Sequence, residues 1–268
     1  MIVNNKRLSS TMVMGDKVAA ALRSMGIEVL IDSSSADITS ESFEAIIVLG
    51  GDGTMIRTAR QYADRNVPVL GVNMGTVGFL SNIRADEFDR YVQRFAAGDF
   101  SLEERMLLEI SVYRESSLAD RLLSLNEVSI KSKAARIISL EVTVEGRQHG
   151  LYRGDGLIVA TPSGSTAYSL SCGGPIIDPV LDVFVLTPIT SYQLNRRPLV
   201  VAANKEIEIK PRDGEQYYIS VDGQVSIDIT ADCSVHIRKA HHRLRMAIMK
   251  PRFFFESIVE RLQRDQNG

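Results

Sequence analysis

At 268 residues, 44% of them hydrophobic and 24% charged, the chain can bury a full core and is long enough for two domains of ordinary size. A formal net charge of -2 argues against a protein that lives on nucleic acid, where a basic face is expected, and two cysteines, Cys172 and Cys233, are too few and too far apart for a disulfide framework or a metal knuckle. No run approaches the roughly 18 apolar residues needed to span a bilayer and "MIVNNKRLSS" lacks the apolar stretch of a signal peptide, so a reduced, cytoplasmic setting is expected.

The opening "MIVNNK" is barely a strand. From Met14 to Met25 the apolar residues Val18, Leu22 and Met25 recur at helical spacing, Gly26 supplies a stop, and "IEVLI" follows as a strand. "AIIVL" reads as a second strand, "TMIRTARQYADR" as a helix and "VPVLGVN" as a third strand. "ADEFDRYVQRFAAG" then places Phe88, Tyr91, Val92 and Phe95 on one helical face. Strands alternating with helices predict a parallel sheet with helices on its faces. After Gly98 the helical period vanishes. "MLLEISVY", "SLNEVSI", "ISLEVTVEG", "GLIVAT", "PLVVAANKEIEIKP", "QYYISVDGQ", "VSIDIT" and "SVHIRKA" are short, β-branched and in several cases alternating, which predicts a β domain, sandwich-like or layered. "RFFFESIVERLQ" is helical again in pattern. The expected division is an α/β domain over 1–98, a β-rich domain over 99–247, and a helix within 248–268 that packs back on the first domain.

In the stretch "AIIVLGGDGTMIRTAR" an apolar strand runs into glycines and then a helix. In a parallel sheet, ligands bind beyond the carboxyl ends of the strands, so Gly50 to Thr54 fall at the binding edge. Glycines there let a ligand approach the backbone amides, and the following helix N-terminus favours an anion. The loop suits phosphate, yet neither GxxxxGK[ST] nor GxGxxG is present. At its centre stands a carboxylate, Asp52. That choice is intelligible if the chemistry is phosphoryl transfer to a hydroxyl, which needs an acceptor for the hydroxyl proton and a cation on the phosphates. An isolated GDG equally fits a plain strand-to-helix turn with a solvated aspartate.

A second stretch narrows the reading. "YRGDGLIVATPSGSTAYSLSCGGPI", Tyr152 to Ile176, crowds glycine, serine and threonine around one apolar strand. Together with "GGDGT" at Gly50 to Thr54, "GVNMGTVGFL" at Gly71 to Leu80, "LNEVSI" at Leu125 to Ile130, "RPLVV" at Arg197 to Val201 and "VDGQ" at Val221 to Gln224, it resembles the NAD kinases of the bacterial and archaeal type. GGDGT alone is shared with lipid, sphingoid and phosphofructokinase relatives; the glycine, serine and threonine block is far more specific.

The resemblance implies a Rossmann-like parallel-sheet domain followed by a β-rich NAD-binding domain, and transfer of a phosphoryl group from ATP or inorganic polyphosphate, with magnesium, to the 2′-hydroxyl of the adenosine ribose of NAD. It makes Asp52 the proton acceptor, with Gly53 beside it. Asn126 and Glu127 would hydrogen-bond the adenosine part. Thr166, Ala167, Tyr168, Ser169, Leu170 and Ser171 would line the base and nicotinamide pockets. Asp155 and Arg153 would reach a dinucleotide, in this family often one held by a neighbouring subunit, which implies a homodimer or homotetramer. Gln224 ends the last motif, Phe79 could contact adenine, and Arg57 and Arg136 match by position and charge. No residue is assigned to a resident metal. His241 and His242 read as a solvated basic segment rather than a zinc site, and Phe253 to Phe255 as core packing. A lipid or sphingoid kinase and a non-catalytic dinucleotide sensor are the alternatives; the polar "SGSTAYS" lining argues against the first and the presence of Asp52 against the second.

Overall fold

The computed structural model describes residues 1–4, 9–32, 41–75, 78–134, 136–193, 195–213 and 216–250, together with Phe254 and Ile258. The chain folds as two units, Met1–Glu104 with Leu244–Gly268, and Arg105–Arg243.

The first unit runs β1 (Ile2–Asn4), α1 (Ser9–Ser24), β2 (Ile31–Asp32), β3 (Ile46–Gly50), α2 (Asp52–Tyr62), β4 (Pro68–Asn73), β5 (Ile83–Arg84) and α3 (Phe88–Ala96). β1 is a full member of the sheet despite its length. It pairs in parallel with β2 on one side and β3 on the other, and Ile2 and Val3 are almost wholly buried. β3 pairs with β4, β4 with β5, all parallel. Arg245 and Met246, on the strand returning from the second unit, add a parallel ladder along Pro68 and Val69. The parallel sheet expected from alternation is present, with apolar runs buried on both faces as such strands require.

Alternation along β3 sorts its side chains. Ile47 and Leu49 join Leu70 and Val72 in a cluster with Val18 and Leu22 of α1 and with Phe88, Tyr91, Val92 and Phe95 of α3. α2 packs on β3 as well, burying Met55 and Ala59. Phe88 has no exposed surface, and truncation of such a side chain to alanine typically costs about 3–5 kcal/mol. The helix expected over Met14–Met25 begins earlier, at Ser9, and "IEVLI" narrows to the two residues of β2. The helix expected within 248–268 lies outside the described residues apart from Phe254 and Ile258, which are helical; Phe253 and Phe255 also lie outside them.

The second unit contains β6 (Ser101–Arg114, from Arg105 onward), β7 (Ser117–Ser124), β8 (Glu127–Ser132), β9 (Ile138–Val144), β10 (Arg147–Gly154), β11 (Gly156–Ala160), the short helix α4 (Tyr168–Ser171), β12 (Val183–Ile189), β13 (Leu199–Ala202), β14 (Ile207–Pro211), β15 (Tyr217–Val221), β16 (Val225–Ile229) and β17 (Cys233–Ile248, to Arg243). Six of these form an antiparallel sheet in the order β13-β12-β11-β8-β15-β16. β10, β9, β14 and β17 form a second antiparallel set. "PLVVAANKEIEIKP" is thus two strands in different sheets.

The inner faces meet in one core. β8 contributes Val128 and Ile130, β11 Leu157 and Val159, β15 Tyr217, Ile219 and Val221; from the other set come Leu140, Val142, Ile207, Ile209, Val235 and Ile237. The opposite face of the six-stranded sheet is covered too. There Ile158, Ala160, Val185 and Ile189 pack under Tyr168, Cys172 and Ile177, so the glycine, serine and threonine block lies as a polar cover over one face of β11 and β12.

Candidate functional site

In the first unit the carboxyl ends of β1, β3 and β4 are Asn4, Gly50 and Asn73. Gly51 caps α2 in an extended conformation without a side-chain cap, which leaves the first-turn amides oriented as an anion site. Asp52 is the first residue of α2 and is half-buried. Its carboxylate is held from outside the helix: the Phe79 N–H donates to Oδ2 at 2.9 Å and the Leu80 N–H to Oδ1 at 3.2 Å. A Cβ on Gly78 would collide with the same carboxylate. "GGDGT" and "GFL" are therefore one device, a carboxylate gripped by two amides with a glycine making room. Gly53 beside it is exposed. Arg57, one turn on, donates through Nη2 to the Asn4 carbonyl at 3.2 Å. Asn73, 4% exposed, accepts from the Gly75 N–H at 3.0 Å, while its Nδ2 is buried without a hydrogen-bond partner. Asn73 was not among the expected site residues; a lone polar residue closing an apolar strand was its signal.

In the second unit, Asn126 and Glu127 sit where β8 begins. The loop after β11 is stitched to them: the Thr161 N–H donates to the Asn126 carbonyl at 2.8 Å, Thr161 Oγ1 donates to the Leu125 carbonyl at 2.6 Å, and the Gly164 N–H donates to Thr161 Oγ1 at 3.0 Å. A Cβ on Gly164 would overlap the Asn126 carbonyl. The Glu127 side chain is 6% exposed and its Oε2 is buried without a hydrogen-bond partner. Burial, and then the negative charge of Asp222, push its carboxyl up to about 8 against the opposing pull of Lys131. Lys131 lies on the same face of β8 four residues on, with its ammonium 5.1 Å from the Tyr168 ring centre and 5.2 Å from that of Tyr218. Neither Lys131 nor Tyr218 was expected here; the signal for Lys131 was the two-residue alternation from Glu127, and Tyr218 comes beside it only through the pairing of β15 with β8.

Within 166–171 the residues divide by role. Thr166 donates to the Ser163 carbonyl at 3.1 Å, and Ala167, Tyr168 and Leu170 are half-buried, Ser171 exposed. Ser169 departs from the expectation that its side chain lines a ligand pocket. It is fully buried and its hydroxyl is shared with Thr187 at 2.8 Å, because Gly174 brings the chain back against both hydroxyls. Asp155 is exposed between two crowded glycines: a Cβ on Gly154 would lie 2.7 Å from the Ile189 carbonyl oxygen, and one on Gly156 would overlap that of Ile130. Arg153 is exposed on β10. Arg136 is exposed beyond the end of β8, and Gln224 is exposed at the tip of the β15–β16 hairpin. Phe79 is half-buried, and its amide serves Asp52.

The first unit thus presents a carboxylate at a helix N-terminus, and the second a buried carboxyl, an asparagine and an aromatic-flanked lysine under a polar cover. Among the described residues no group of three or more His, Cys, Asp or Glu could hold a metal ion. No helix among them is long and apolar enough to cross a membrane. Residues 31–100 match the family described as the ATP-NAD kinase N-terminal domain, and residues 125–248 the ATP-NAD kinase C-terminal domain. A protein of Citrifermentans bemidjiense called NAD kinase is 41% identical over 237 residues, 87% of this chain and 82% of its own. Among solved structures, an NAD kinase from Archaeoglobus fulgidus in complex with ATP aligns with a TM-score of 0.80 at 28% identity, covering 98% of both chains. Yeast NADH kinase complexed with NADH aligns with a TM-score of 0.84 at 22% identity, over 93% of this chain and 83% of its own.

Proposed function

The chain belongs to the NAD kinase family, and on that premise we propose that it transfers the terminal phosphoryl group of ATP, or of inorganic polyphosphate, to the 2′-hydroxyl of the adenosine ribose of NAD, with Asp52 as proton acceptor. The observation that carries this role is the grip on Asp52. Two amide donors fix the carboxylate in one orientation, and each oxygen keeps a lone pair free to accept from a substrate hydroxyl. Deprotonating a sugar hydroxyl as the phosphoryl group arrives is general-base work for which a pre-oriented carboxylate suffices. The amides at the start of α2 attract the phosphates without a lysine.

Asn126 and Glu127 bind the adenosine part. The segment 166–171, through Thr166, Tyr168 and Ser171, forms the base and nicotinamide pockets. Asp155 and Arg153 serve a dinucleotide bound by a neighbouring copy, in a homodimer or homotetramer. Magnesium fits this residue set as a companion of the donor phosphates, with the Asp52 carboxylate beside it at the start of α2: such ions keep several waters and need no cage of protein ligands. Bound there, the cation would neutralise phosphate charge. The free thiols of Cys172 and Cys233 agree with work in the reducing cytoplasm. The family excludes the lipid kinase alternative.

The test is purified protein with NAD, magnesium and each donor in turn. NADP should form, chelation should abolish the activity, and the melting temperature should be unmoved by chelation, since no protein-held site is lost. Absence of NADP with every donor would return the protein to a sensor role.

A further inference from the structure

The turn between β15 and β16 carries an aspartate to which the reaction as described gives no task. Asp222 and Gly223 have φ of 52° and 63°, and the Gln224 N–H donates to the Val221 carbonyl at 3.0 Å. Two successive left-handed residues make the mirror-image turn that suits hairpin twist, and Asp-Gly is among the pairs that tolerate it. Local turn chemistry explains an aspartate here, but not where its side chain goes.

The carboxylate is 8% exposed and reaches across to the segment that leads into β8. Oδ1 accepts from Ser124 Oγ at 2.6 Å, from the Asn126 N–H at 2.7 Å and from the Glu127 N–H at 3.2 Å; Oδ2 accepts from the Leu125 N–H at 3.2 Å. The Asp222 N–H returns a bond to the Glu127 carbonyl at 2.9 Å. Three consecutive backbone amides and a hydroxyl converge on one carboxylate, an arrangement of donors alone that suits its ionised form. These bonds fall on backbone and on Ser124, and none of them uses the side chain of Asn126 or Glu127. Both are left to face a ligand while their backbones are fixed.

We propose that Asp222 is a positioning residue for NAD, acting through Asn126 and Glu127 without touching the dinucleotide itself. The inference rests on the family reading, in which those two residues bind adenosine. Its second consequence is electrostatic. Glu127 is faced by Asp222 from the hairpin turn, by Lys131 from its own strand and by Cys172 from the end of α4, with Tyr168 and Tyr218 flanking the lysine. Asp222 is the anion of this set, and with burial it keeps the Glu127 carboxyl protonated at neutral pH. A neutral carboxyl can donate one hydrogen bond and accept others, and it does not repel the pyrophosphate of NAD.

The experiment compares wild type, Asp222→Asn and Glu127→Gln in NADP formation with NAD varied, from pH 6 to 9.5. Asp222→Asn should raise KM for NAD about tenfold or more while kcat moves only a few-fold. In wild type, KM should begin to rise near pH 8 as Glu127 ionises; in Asp222→Asn the rise should begin at lower pH, because the neighbouring charge is gone. Glu127→Gln should lack the inflection. An Asp222→Asn enzyme with wild-type KM and an unmoved inflection overturns the proposal. If that variant fails to fold, Ser124→Ala removes one donor and keeps the charge: it should raise KM several-fold with the inflection in place. Unchanged KM in Ser124→Ala, together with an inflection that survives Glu127→Gln, also overturns it. A wild type that forms no NADP would instead sink the family reading on which the inference stands.

Discussion

The carboxylate of Asp52 occupies the space that a Cβ on Gly78 would need. The glycine is therefore not there for turn freedom alone; any side chain would push the carboxylate off the amides of Phe79 and Leu80. Gly78→Ala should lower turnover by about 10²-fold, in line with the sensitivity of positioned groups to displacements of an ångström. A Gly78→Ala enzyme with wild-type kcat would show that the grip on Asp52 is catalytically idle.

Asp52→Asn keeps the shape and removes the charge. Turnover should fall by about 10²–10⁴-fold, roughly 3–5 kcal/mol of barrier. KM for NAD should change little. The asparagine amide also faces one of the two N–H donors with a donor of its own, so a modest loss of melting temperature is expected alongside. Steady-state kinetics and a thermal melt of the same preparation check both.

Asp155 is exposed while its two glycine neighbours are crowded by backbone, which separates function from folding at adjacent positions. Asp155→Ala should leave the melting temperature within about 2 °C, as surface changes do, and raise KM for NAD. Gly156→Ala should instead destabilise by about 1–3 kcal/mol, the usual cost of forcing extra volume into a packed site. Sedimentation of the wild type as a strict, fully active monomer would defeat the idea that Asp155 serves a neighbouring subunit.

Glu127 makes stability depend on pH in a known direction. Its folded value, about 8, lies above the ordinary 4.5, so the folded state binds the extra proton between them. Its contribution is fully present below about pH 4.5 and is lost as pH rises through about 8. The difference in melting temperature between Glu127→Gln and wild type should therefore grow in favour of the variant from pH 5 to pH 9. A constant difference across that range would show that Glu127 is not buried as described.

Much of the fold was legible because long buried elements display their period. "AIIVL", "VPVLGVN" and "GLIVAT" are apolar runs that became β3, β4 and β11, and the face named from Phe88 to Phe95 is the buried face of α3. Elements that were missed lack that signal. β1 has three residues, too few for any period, and owes its place to partners on both sides. β10 is a polar edge strand with a register shift between Gln148 and Gly150. β12 carries Pro188, which pairs opposite Leu157 just beyond the end of the β13 ladder, a local edge where proline is tolerated but where it reads against a strand in sequence. At the site, residue types pointed to Asp52 and to Asn126–Glu127 as candidates. The relations that hold them in place did not show. Asp222 meets its partners across much of the second unit's sequence, and Gly78 is a spacer for a side chain 26 positions earlier.

β17 has a consequence for how the protein is made. Its last residues belong to the first unit, where Arg245 and Met246 lie along Pro68 and Val69, and the Asn82 side chain accepts from the Met249 N–H at 2.6 Å. During synthesis the ribosome delivers Asp52 and its helix early, yet the sheet beneath them waits for a strand translated after the whole second unit. Until that strand emerges, the Pro68–Val69 end of β4, which β5 does not cover, is open to any passing extended chain, the exposure that growing polypeptides shield with chaperones. The second unit, contiguous in sequence, can close first. The nascent chain would then complete the surroundings of Asn126 and Glu127 before Asp52 has a finished sheet to stand on.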